Sequence, residues 1–140
     1  MYENILLPLD GSEISESAIP HAEALALGCE AKKVTIAHVE EQERYEGKLT
    51  NAKRPGVYLQ RTAKRLEAKG IATGIKVLTG DPAEAIVSFA EKNPCDIIVM
   101  ASHGRSGATR WAIGSVADKV LRASSVPVLV VKAPKQAAKK

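Results

Sequence analysis

The stretch "MASHGRSGATRWAIGSVADKV", starting at Met100, joins an apolar entry to an amphipathic exit through residues suited to holding an anion. Gly104 and Gly107 let backbone amides approach a bulky anion with no Cβ in the way. Gly114 and Ser115 then set unsatisfied amides and a hydroxyl at a helix start, where the helix dipole favours negative charge. That pattern is a candidate polyphosphate cradle. A Gly-Ser pair before a helix is equally what any clean helix start requires, so spacing alone leaves phosphate binding and plain connection both open. A second stretch, "PLDGSE", sends Asp10 directly out of an apolar run into Gly11 and another helix start, where its carboxylate serves either a ligand or the turn itself.

Other chemistries lack their residues. There is neither a GxxxxGK[ST] loop nor a GxGxxG, which argues against P-loop hydrolysis and dinucleotide redox chemistry. His21 and His38 have no carboxylate or thiolate at ligand spacing and read as structural. His103, alone in its loop, reads on its own as a solvated histidine. Trp111 reads as packing or a partner surface. Cys29 and Cys95 show neither metal spacing nor a CxxC pair and are expected reduced and semi-buried. No Ser, Cys or Lys sits in a nucleophile setting with a base, so efficient catalysis is not indicated.

The elements that must position these loops follow from size and periodicity. A chain of 140 residues is one ordinary domain with one core, and 45% hydrophobic, 26% charged and 4% aromatic residues describe an aliphatic globular protein. No apolar run approaches the roughly 20 residues that span a bilayer, and no signal-peptide pattern precedes "ILLPLD", so a cytoplasmic protein without membrane contact is expected. The net charge of +4 is partly a tail effect, since four of the twenty basic residues fall in "VKAPKQAAKK". With few aromatics and no basic stripe, no nucleic-acid partner is expected.

Short apolar runs alternate with amphipathic segments, the pattern of βα units on a parallel sheet. Five strands are predicted, at 3–8, 33–39, 72–79, 96–101 and 127–132. Several are apolar at consecutive positions, as when helices cover both faces, which makes an α/β three-layer sandwich. A first helix is capped by Ser12 or Ser15 and runs to Gly28, with Pro20 kinking it or marking its true start near Ser17. A second covers 57–69 and ends at Gly70. A third follows Asp81 as cap and Pro82 as first residue. The fourth is capped by Ser115, with Asp118 completing a variant capping box. Residues 40–56 are polar and poorly periodic and read as one long loop, and the domain is expected over 1–134 with a basic tail at 135–140.

These residues resemble the universal stress proteins, whose nucleotide-binding members carry G-x2-G-x9-G-[S/T] after the fourth strand. Here Ala101 stands in the first glycine's place, Gly104 is the second, and nine residues separate it from Gly114-Ser115. The likeness covers essentially the whole chain, through "ILLPLDGSE", "AHV", "GDPAEAI" and "GSVADKVLRASSVPVLVVK". It implies a Rossmann-like, adenine nucleotide alpha hydrolase-like sheet of order 3-2-1-4-5 that binds ATP with magnesium or manganese. By that resemblance Asp10 meets ribose hydroxyls or helps hold the cation, Pro8 and Leu9 border the nucleoside, and Val39 and Met100 line the adenine pocket. Ala101, His103, Gly104, Gly114, Ser115 and Val116 surround ribose and phosphates, and Arg105 is added on charge and position alone. The resemblance further implies a homodimer through the last strand, at Val128, Leu129, Val130 and Val131, an edge that invites a partner strand. The implied role is a nucleotide-dependent stress-response sensor or regulator acting on protein partners, with at most slow ATP hydrolysis. Two other readings of the same sheet are a dimeric interaction module that binds no nucleotide and a flavodoxin-like FMN protein, the latter opposed by the scarcity of aromatics for flavin stacking.

Overall fold

The structure, a computed structural model, describes residues 1–40, 55–103 and 113–132. Five strands, β1 (Asn4–Pro8), β2 (Lys33–Glu40), β3 (Thr73–Thr79), β4 (Ile97–Ala101) and β5 (Val128–Val131), form one sheet of order β3-β2-β1-β4-β5. Every neighbouring pair is parallel. The helices are α1 (Glu13–Glu16), α2 (Ile19–Cys29), α3 (Pro55–Glu67), α4 (Pro82–Lys92) and α5 (Ser115–Ala123).

Consecutive apolar residues in β1 and β4 are explained by the two cores they divide. Ile5, Leu7, Ile97 and Val99 pack with Ala22 and Ala26 of α2 and Leu59 and Leu66 of α3 on one face. Leu6, Ile98 and Met100 pack with Ile86 and Ala90 of α4 and Ala117 and Val120 of α5 on the other. This is the expected α/β three-layer sandwich, with strand ends within one residue of those expected. Among the described residues no helix is long and apolar enough to cross a membrane.

The first helix differs from expectation. Ser12 is the cap, its hydroxyl accepting from the Ser15 amide at 3.0 Å, but α1 ends after one turn. Of the two alternatives for Pro20 the second holds: it marks a true start close to Ser17, in the first turn of a separate helix, α2, where its missing N–H costs nothing. Nor is Gly28 the stop. The chain turns at Glu30, a non-glycine residue at φ 55°, with the Ala31 amide bonded back to the Ala26 carbonyl at 2.9 Å in a Schellman-type closure. Gly70 does sit beyond α3 in the left-handed region, at φ 87°, although α3 begins at Pro55 and closes at Glu67. Asp81 caps α4 as expected, accepting from the Glu84 amide at 3.1 Å. The long loop between Glu40 and Pro55 and the tail at 135–140 lie outside the described residues.

The α2–α3 contact carries an ion cluster. Glu23, only 7% exposed, accepts from Arg65 Nε at 3.0 Å and lies 3.7 Å from Lys69 Nζ. The carboxylate is buried against cations that stay half in water, so its charge is matched without burying theirs.

Candidate functional site

The chain leaves β1 for β2 on one side and later returns to place β4 on the other, so the order reverses at β1, where open parallel sheets hold ligands beyond their carboxyl ends. A cavity of about 430 Å³ lies there. Pro8, Leu9 and Asp10 line it from the end of β1, Val39 from β2, and Met100, Ala101 and His103 from β4 and the residues after it. Gly114, Ser115 and Val116 complete it from the start of α5. Ten of the sequence-predicted binding residues therefore border one space. Gly104 and Arg105, with Trp111, lie outside the described residues.

The Asp10 loop is tightly organised. Asp10 Oδ1 accepts from the Ser12 amide at 2.9 Å and the Ser12 hydroxyl at 2.6 Å, while the Asp10 amide donates to Ser15 Oγ at 3.2 Å. Gly11 between them has φ 91°, a conformation that favours glycine. Asp10 is thus the turn-forming carboxylate, one of the two alternatives read from sequence, and it also forms part of the cavity wall. Tyr58 of α3 braces the same corner through its hydroxyl, which donates to Glu16 Oε2 at 2.9 Å.

Burial, reinforced by the Glu16 carboxylate, pushes the Tyr58 phenol well above its ordinary value of 10.0. Below pH 10 both the folded and unfolded chains hold this proton, so the contribution is fully present. As pH rises past 10 the unfolded chain releases the proton and the folded chain keeps it, so stability falls. Urea midpoints measured from pH 8 to 11 should decline less steeply in Tyr58→Phe than in the parent.

The end of β4 meets the start of α5 at close range. The Gly114 amide donates to the Ser102 carbonyl at 2.8 Å, and a Cβ at Gly114 would stand 3.0 Å from that oxygen and 3.3 Å from His103 Cα. Glycine is required here for close approach, since its φ of −64° suits any residue. It also takes the cap position expected of Ser115, which becomes the first helical residue instead. The capping box does not form, because Asp118 lies one residue too far along and pairs with Arg122 at 3.1 Å. With no side chain at the cap, the first amides of α5 face the cavity end uncapped.

His103 is not solvated. It is 9% exposed, because ladder bonding continues one residue past β4, from the Ser102 amide to the Val131 carbonyl at 2.8 Å, and draws His103 under the start of α5. Its Nδ1 lies 3.0 Å from Ser102 Oγ, and its Nε2 is buried without a hydrogen-bond partner among the described residues. His38 is structural as expected, with Nδ1 3.0 Å from the Leu9 carbonyl. Cys29 and Cys95 are free and half-buried, and burial raises the Cys95 thiol above its ordinary value.

The sequence reading missed Ser15, Pro82, Ile86, Ser102 and Ala117, which also line the cavity. Pro82 and Ile86 carried a usable signal, because a helix that follows a parallel strand starts at the carboxyl edge where ligands bind. The lining combines apolar surface from Val39, Ile86 and Met100 with polar groups from Asp10, His103 and Ser115 and the amides of α5. Such a lining, apolar walls with a few convergent polar groups, is the composition of a small-molecule site. Among the described residues no three His, Cys, Asp or Glu side chains could together hold a metal. A second groove, also about 430 Å³, runs between α4 and α5, bordered by Glu84, Glu91, Lys119 and Arg122 and away from the carboxyl ends of the strands.

A sequence profile of the Universal stress protein family matches residues 1–132. Universal stress protein MJ0531 of Methanocaldococcus jannaschii is 35% identical over 97% of this chain and 85% of its own length. The solved structure of hypothetical protein MJ0577, from the same organism, is similar at TM-score 0.85 and 34% identity over 96% of this chain and 99% of that one. A universal stress protein solved in complex with cAMP is similar at TM-score 0.71 and 26% identity over 95% of this chain and 98% of that one. A profile that spans the sheet from β1 to β5, joined to relatives of this identity and coverage, is decisive: the chain belongs to the universal stress protein family.

Proposed function

We propose that this protein binds ATP, carrying magnesium or manganese, in the cavity at the ends of β1 and β4, and acts as a dimeric nucleotide-dependent regulator of a stress response. The observation that carries the reading is the β4–α5 junction, where Gly114 packs against the Ser102 carbonyl and leaves uncapped helix amides at the cavity. A Cβ-free cradle and an orphaned buried imidazole nitrogen suit a phosphate chain, and a volume of about 430 Å³ suits a nucleotide. The relative in complex with cAMP supports an adenine nucleotide as the ligand class. Val39, Met100, Pro8 and Leu9 border the base and nucleoside, Asp10 serves the ribose or the cation, and Ala101, His103, Gly114, Ser115 and Val116 border ribose and phosphates. The cation arrives with the triphosphate, since among the described residues the lining offers one carboxylate, Asp10.

The dimer forms through β5. It is an edge strand of four residues, Val128 to Val131, of which Leu129 is still 39% exposed, so a second copy can extend the sheet there. Protein partners then read the nucleotide state.

A thermal melt with and without magnesium-ATP, with mass spectrometry of any co-purifying nucleotide, tests this. At 100 times its dissociation constant the ligand adds about 2.7 kcal/mol, a rise of about 5 to 10 °C for a domain of this size. No shift and no bound nucleotide would remove the nucleotide reading and move the protein's work to its β5 edge.

A further inference from the structure

We infer that Ser102 and His103 form a directed hydrogen-bond donor for a phosphoryl oxygen of the nucleotide, with Ser102 as the positioning residue that keeps the imidazole proton on Nε2. This rests on the nucleotide reading above. His103 is 91% buried at the cavity wall, its Nδ1 is engaged by the Ser102 hydroxyl at 3.0 Å, and its Nε2 has no partner among the described residues. A buried polar atom without a partner is costly and calls for an explanation.

The Ser102 side chain is buried too, and its hydroxyl hydrogen is free to rotate toward Nδ1. When it donates there, the neutral ring carries its hydrogen on Nε2. The ring flanks the cap of α5, with His103 Cδ2, the carbon bonded to Nε2, 3.5 Å from where a Cβ of Gly114 would stand. The neighbouring groups at that end are the uncapped α5 amides and the Ser115 hydroxyl, again donors. Amides and a hydroxyl that can donate are complementary to phosphoryl oxygens. Nε2 is shielded from water, and a hydrogen bond made there is strengthened by the low local dielectric.

The test is titration calorimetry of magnesium-ATP and of adenosine against the parent, His103→Ala, His103→Gln and Ser102→Ala, with long-range 1H–15N spectra of the His103 ring in the ligand-free protein. The ring should show the Nε2–H form in the parent and a mixture in Ser102→Ala. His103→Ala should weaken ATP about 10- to 100-fold and adenosine by no more than about twofold. His103→Gln, which restores an N–H, should recover part of the ATP affinity, and Ser102→Ala should weaken ATP about 2- to 10-fold.

A parent ring in the Nδ1–H form overturns the inference, whatever the ligand. So does a His103→Ala protein that binds ATP like the parent, or one that loses ATP and adenosine equally. If His103→Ala does not fold, the glutamine variant and the ring spectra decide. A parent that binds neither ligand removes the nucleotide reading and this inference with it. A parent that binds ATP beside unaffected variants removes this inference alone.

Discussion

Replacing Gly114 with valine is expected to lower the unfolding free energy by about 3 kcal/mol and to abolish the stabilisation by magnesium-ATP. The cost is steric and not conformational, because φ −64° and ψ 159° are open to any residue. A Cβ meets two backbone atoms, the Ser102 carbonyl oxygen at 3.0 Å and His103 Cα at 3.3 Å, and neither can swing aside as a flexible side chain would. Relief requires parting β4 from α5, which breaks the 2.8 Å bond from the Gly114 amide and moves the helix amides away from the cavity. Glycine's extra freedom in the unfolded chain offsets only about 0.4–1 kcal/mol of this. Gly114→Ala should fall between parent and valine, by about 1 to 2 kcal/mol. Urea midpoints and melts with and without ligand measure both effects. An alanine variant as stable as the parent would mean that the junction yields, and then it cannot hold amides in place for a phosphate.

Ile98→Ala should cost about 3 to 4 kcal/mol and lower the melting temperature by about 10 °C. Ile98 is fully buried in β4, paired with Leu6 of β1 and Val128 of β5, and packed with Ile86 and Val120 from the two helices above it. Strands on both sides hold the backbone in place, so the space left by the lost carbons cannot close, and the cost lies in the upper part of the range for such truncations. Leu129→Ala on the exposed edge is the control, expected within about 0.5 kcal/mol of the parent while the protein is monomeric. An Ile98→Ala loss below 1 kcal/mol would show that this face of the sheet repacks freely.

The centre of the sheet was legible because β1 and β4 are buried on both faces. Runs such as "ILL" and "IIVM" need no alternation when α2 and α3 cover one side and α4 and α5 the other. Helix ends were less so, because the deciding partner lies elsewhere in the fold. Ser115 looks like a cap by residue type, but the Ser102 carbonyl claims the Gly114 amide and shifts the helix start. Glu30 turns left-handed two residues after Gly28, because the bond from Ala31 to Ala26 sets the position of the turn. The lining of the cavity was readable where residues leave β1 and β4. The start of α4, at Pro82 and Ile86, was readable by the same rule, whereas Ala117 was not, since its place depends on how α5 lies across the sheet. His103 shows the limit most sharply: burial of a lone loop histidine is decided by one extra ladder bond beyond β4, from Ser102 to Val131.

The central position of β1 has a consequence during synthesis. One edge of β1 is satisfied early, by β2, in a register that pairs Asn4 with Lys33. The other edge waits for β4, and the Glu3 and Asn4 amides find the Asp96 carboxylate, at 2.9 and 2.8 Å, only across 93 and 92 positions of chain. Until β4 leaves the ribosome, the nascent chain carries an apolar strand with one open edge, the geometry that recruits strands from neighbouring chains. Asp96 then acts as a latch, drawing in two amides at the foot of β1 as the sheet closes. Fragments cut before β4 are thus expected to aggregate, whereas the chain through β5 encloses β1 on both sides.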